Sequence, residues 1–145
     1  MKQTIFQIAL LVNDYDEAID FYTKKLHFEL LEDTNLNETK RWVRVAPKNS
    51  TGLLYVCIYI VNFIEGCSLL LAKASDDIQK SRVGNQTGGR VFLFLETDDI
   101  QRDFKDFKEN GIRFIREPSQ EDYGTVAVFE DLYGNSWDMI QRPIK

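Results

Sequence analysis

The stretch Ile5-Phe-Gln-Ile-Ala-Leu-Leu-Val-Asn-Asp-Tyr15 recurs in pattern as Arg90-Val-Phe-Leu-Phe-Leu-Glu-Thr-Asp-Asp-Ile100. Each copy is an apolar strand that ends in a polar step containing an aspartate, and that step opens a helix. The repetition predicts one small module used twice, with equivalent positions in the two halves and a shared site at their junction. Working outward from the first copy, Asn13 or Asp14 caps a helix carrying Ala18, Ile19, Tyr22 and Leu26 at helical spacing, and Glu17 stands where a capping box needs it. Phe28 to Glu32 and Arg41 to Ala46 read as strands, and Pro47 to Gly52 as a turn. From the second copy the same order follows: strand Val91 to Glu96, helix Asp99 to Asn110 ended by Gly111, then strands Ile112 to Arg116, Gly124 to Phe129 and Ser136 to Gln141.

The chain has 145 residues, enough for one well-buried domain and too few for two ordinary ones. The two repeats are therefore expected to form a single domain, 1–145, with module one at about 5–74 and module two at about 90–142. Ala74 to Gly89, rich in Asp, Ser, Asn, Gln and Gly, reads as the connection inside that domain. A formal net charge of -5 argues against nucleic acid or an anionic membrane as partner, since both select basic surfaces. The start lacks an apolar signal core, and Cys57 and Cys67 are the cysteines present, which fits reduced thiols in the cytoplasm.

Leu53-Leu-Tyr-Val-Cys-Ile-Tyr-Ile-Val-Asn-Phe-Ile64 breaks the symmetry, because the second module has only the loop Glu130 to Asn135 at the matching place. The segment is too short to span a bilayer as a helix. Its β-branched and aromatic residues favour an added edge strand or hairpin, and an uncovered apolar edge would invite association.

Val12 to Tyr22, Arg41-Trp-Val43, Gly88 to Asp99, Tyr123 to Phe129 and Asp131-Leu-Tyr-Gly-Asn-Ser-Trp-Asp138 together resemble the vicinal oxygen chelate superfamily. This is the group of glyoxalases, bleomycin resistance proteins and extradiol dioxygenases. The resemblance implies an α+β fold of two βαβββ modules, a curved mixed sheet forming an open cup, a ligand inside it and a homodimer. Metal-using relatives place their ligands on the first and last strands of each module, which in this chain are Gln7, Phe92, Leu70 and Asp138. Phe92 and Leu70 donate nothing to a metal. The expectation is therefore a small-molecule binding protein of the bleomycin-resistance kind, with no metal or other cofactor favoured. The alternative is a divalent-metal-dependent lyase or dioxygenase using Gln7, Asp138 and Glu96, with Glu121 as a further donor.

Strand alternation extends the site. Gln7, Ala9 and Leu11 share one face, Phe92, Phe94 and Glu96 another, and Trp42 and Arg44 should oppose Val43 and Val45. The predicted ligand-binding set is Gln7, Trp42, Arg44, Phe92, Phe94, Glu96, Tyr123 and Asp138, an aromatic lining with few charges. Catalytic residues are not assigned. His27, the single histidine, reads as a helix-terminal surface residue, which leaves serine and cysteine without a base for nucleophilic chemistry.

Overall fold

The computed structural model describes residues 3, 5–48, 51–56, 59–64 and 67–143, with the backbone alone over 51–56 and 59–64. The chain divides into two compact units, Met1–Ser75 and Asp76–Lys145. In the first, β1 (Gln7–Val12) leads into α1 (Tyr15–Asp20) and a π turn over Phe21–Lys25, followed by β2 (Glu29–Asn35), β3 (Arg41–Ala46), β4 (Thr51–Val56), β5 (Tyr59–Ile64) and β6 (Ser68–Lys73). In the second, α2 (Asp77–Arg82) precedes β7 (Leu93–Glu96), α3 (Ile100–Glu109), β8 (Arg113–Glu121), β9 (Gly124–Glu130) and β10 (Ser136–Gln141).

Each unit holds a four-stranded mixed sheet, ordered β1-β6-β3-β2 and β7-β10-β9-β8. In both, the first strand pairs parallel with the last and the remaining pairs are antiparallel. This is the α+β duplication that the sequence repeat predicts.

The helices start where the Asx-Asp steps stand. Asp14 Oδ1 accepts from the backbone N–H groups of Asp16 and Glu17, and Asp99 Oδ1 from that of Arg102, so each carboxylate satisfies donors that a helix leaves unbonded at its start. The helix ends differ by one residue. In unit two the Ile112 N–H reaches the Phe107 carbonyl, whereas in unit one the Phe28 N–H reaches back to Tyr22. That additional residue is absorbed by the π turn, the usual local form of a one-residue insertion in a helix.

Each sheet buries one face under its helix. Leu10, Val12, Val43, Val45, Leu69 and Leu71 are fully or almost fully buried in unit one with Ala18 and Tyr22 of the helix. In unit two the Phe129 ring touches Phe107, Phe114 and Trp137 at centroid separations of 5.8, 5.8 and 5.7 Å. Such ring clusters bury large apolar areas and add edge-to-face attraction.

Several elements differ from expectation. The linker carries the short helix α2, because Asp76 caps it through the Gln79 N–H. Past it, Gly84 adopts a positive φ and lies so near the Tyr133 carbonyl that a Cβ would collide. β2 and β8 run past Glu32 and Arg116 to Asn35 and Glu121, each through register shifts that let a strand continue across a bulge. Thr51 and Gly52 belong to β4 rather than to a turn, and β4 and β5 form an antiparallel hairpin that is its own two-stranded sheet. Asn49, Ser50 and Cys57 lie outside the described residues.

Candidate functional site

The ladder registers translate one sheet into the other. Leu70 lies opposite Ala9 and Arg44, and Asp138 lies opposite Phe94 and Val128. Matching Leu70 with Asp138 therefore matches Gln7 with Phe92 and Arg44 with Val128. One strand further, Glu32 opposite Arg44 matches Arg116 opposite Val128. These positions share the sheet face that turns away from the helix, since alternate residues point oppositely.

On the first sheet this face holds Gln7, Ser68 and Arg44. The Arg44 guanidinium donates through Nη2 to Ser68 Oγ at 3.3 Å and lies 3.6 Å from Glu32 Oε2 through Nη1. Ser68 Oγ in turn donates to the Phe6 carbonyl at 3.1 Å. Arg44 is thus clamped between two strands, yet its Nε is buried with no hydrogen-bond partner among the described residues, and so is Gln7 Oε1. Trp42, two residues from Arg44, is half-buried, while Val43 and Val45 are sealed beneath the helix.

On the second sheet, Asp138 Oδ1 is likewise buried and without a hydrogen-bond partner among the described residues. Burial pushes the Asp138 carboxyl above the usual aspartate range, and the charge of Arg116 opposes that rise. Arg116 makes its own ion pair with Glu121 at 3.4 Å. Phe94, the cross-strand neighbour of Asp138, leaves 66% of its surface exposed. Phe92 precedes β7 and its N–H donates to the Ser136 carbonyl. Glu96 pairs with Arg142 at 3.3 Å beside a shallow depression of ≈ 400 Å³ lined by Thr97, Asp98, Gln141 and Pro143 as well. Tyr123 is exposed in the turn between β8 and β9, off the row that contains Asp138.

Residues 4–139 match the family model of the Glyoxalase/Bleomycin resistance protein/Dioxygenase superfamily. The chain belongs to this superfamily. It is 56% identical over 142 residues to an uncharacterized protein of Shewanella frigidimarina (strain NCIMB 400), covering 97% of this chain and 95% of that one. Among solved structures it is similar to UcmS2, with a TM-score of 0.76, 24% identity and 97% and 98% of the two chains covered. It is also similar to TnmS3, an antibiotic binding protein from Streptomyces sp. CB03234, with a TM-score of 0.71, 25% identity and 98% of each chain covered.

The superfamily resemblance implies a metal, and the residues at its ligand positions can be tested for fit. Each unit offers one oxygen donor and one side chain with none: Gln7 with Leu70, and Asp138 with Phe92. Among the described residues, no group of three or more His, Cys, Asp or Glu gathers where a cation could sit. The positions do not fit a four-ligand metal centre. Glu32, Ser68 and Arg116 escaped the sequence reading. Ser68 was reachable by counting back two from Leu70, whereas Glu32 and Arg116 depend on bulged registers that local sequence does not reveal.

Proposed function

We propose that the chain binds a small, flat organic molecule on the open faces of its sheets, without the metal of the superfamily's enzymes. The observation that carries this reading is made in each unit by itself: Gln7 Oε1 and Arg44 Nε in the first and Asp138 Oδ1 in the second are buried and without a hydrogen-bond partner among the described residues. Buried polar atoms nearly always have partners, and one left without costs about 1–3 kcal/mol. A ligand on either sheet that supplies what is missing there recovers that cost, with flat apolar contact offered by Trp42 in the first unit and by Phe92 and Phe94 in the second. The likeness to TnmS3, an antibiotic binding protein, supports the same ligand class. Thermal melting against a library of aromatic natural products tests it. The expected result is a rise of several degrees with at least one compound, lost in Arg44→Met; no rise across the library overturns the reading.

The alternative expectation, a divalent-metal-dependent lyase or dioxygenase using Gln7, Asp138 and Glu96, has less support, since Glu96 is paired with Arg142 and neither Phe92 nor Leu70 offers a donor. Metal near one equivalent in the purified protein, with stabilisation by manganese, iron, nickel or zinc ions, would restore it. Among the described residues no helix is long and apolar enough to cross a membrane. We place the chain in the cytoplasm as a homodimer, for which light scattering should return twice the mass of one chain.

A further inference from the structure

We propose that the open face of the second sheet is the subsite for a protonated amine carried on an aromatic ligand, with Asp138 as the counter-charge and Phe94 as the ring platform. The inference rests on the binding reading above and narrows its ligand.

The row Phe94, Asp138, Val128, Arg116 crosses β7, β10, β9 and β8 in register. The matching row on the first sheet is Ala9, Leu70, Arg44, Glu32. There the opposite charges stand on adjacent strands and pair at 3.6 Å. In the second sheet the carboxylate stands one strand further in, so Val128 separates it from Arg116, whose Nη1 turns to Glu121. Asp138 is consequently a carboxylate with no ion pair among the described residues, its charge offset only at a distance by Arg116, and with Oδ1 buried and lacking a hydrogen-bond partner there. Two other carboxylates that share this face by strand alternation, Glu96 and Glu130, have Arg142 and Arg113 for their charges.

A ring stands beside that carboxylate. Phe94 is two-thirds exposed and lies directly across the parallel ladder from Asp138. An ammonium group attracted by the carboxylate would lie near the ring face, where the quadrupole of the ring adds to the attraction. A neutral hydroxyl could bond Oδ1 but would leave the charge unpaired, and a ligand carboxylate would be repelled.

The test uses the 15N-labelled full chain and three matched probes, benzylamine, benzyl alcohol and benzoate, followed by amide shifts. Benzylamine is expected to shift the amides of Phe94, Val128 and Asp138 with an affinity about tenfold above that of the alcohol, and benzoate to bind weakest. Asp138→Asn keeps the shape and removes the buried charge, so it should fold and bring amine and alcohol to equal affinity. Phe94→Leu keeps the charge and should weaken the amine. Equal affinities in the parent, or an amine preference that survives Asp138→Asn, overturn the subsite while leaving the binding reading intact. Absence of shifts on either sheet with all three probes and with their naphthylmethyl homologues overturns both.

Discussion

Burial lifts the Asp138 carboxyl above its ordinary range, so the native state holds that proton more tightly than the unfolded chain. Stability then falls as pH rises from the unfolded aspartate value towards the folded one, and the penalty is complete above both. Arg116 limits the rise and Glu96, paired with Arg142, faces the same side. Asp138→Asn should therefore stabilise the protein modestly at neutral pH, since solvent and Arg116 screen the charge, and the gain should vanish below the ordinary aspartate pKa in urea melts repeated across pH. Asp131 contrasts with it. Its buried carboxylate accepts from the backbone N–H groups of Tyr133 and Asn135, from Asn135 Nδ2 and from Trp137 Nε1. Asp131→Ala leaves these donors unanswered and should cost about 3 kcal/mol or more in denaturant unfolding. Both aspartates belong to one motif legible in the sequence, and it was the superfamily resemblance that singled out Asp138 as a site position. That Asp138 has no ion pair among the described residues, with Arg116 acting only at a distance, was not legible, because it depends on which strand lies beside which.

The two helices show how far local signals reach. Their starts were readable from Asp14 and Asp99, whose capping bonds need only neighbours two or three residues away. Lys73 adds an ion pair to Asp14 at 3.2 Å, and the two effects, the Glu17 N–H first, hold that carboxyl below its usual range. The end of the first helix was readable at Leu26 and His27, but its π turn was not, since the residue that the turn absorbs alters no propensity. Its result is His27 at φ 57, where the second module has Gly111 at φ 79. His27 is half-buried rather than a surface residue. A left-handed backbone disfavours a side chain by about 1 kcal/mol. His27→Gly should accordingly raise stability by up to about 1 kcal/mol, whereas Gly111→Val should lower it by more than that in the same thermal melts.

At the scale of the whole chain, duplication was the most legible property, because both copies keep strand, cap and helix in the same order. The site residues expected from the sequence are divided between the units, Gln7, Trp42 and Arg44 in one and Phe92, Phe94, Glu96, Tyr123 and Asp138 in the other. The β4–β5 hairpin was legible as strand-forming sequence but not as a sheet of its own, since pairing partners are set by tertiary placement. Replacing residues 51–64 with a loop as short as Glu130 to Asn135 should leave the β1-β6-β3-β2 amides protected from hydrogen exchange. The hairpin lies inside the span that must close for β1 to meet β6. Doubling a closed span costs only about 0.6 kcal/mol, and the hairpin lengthens this one by far less than twofold. The first sheet can therefore carry foreign sequence between β3 and β6 at little expense to its own assembly, which makes that connection the natural place to graft a reporter domain.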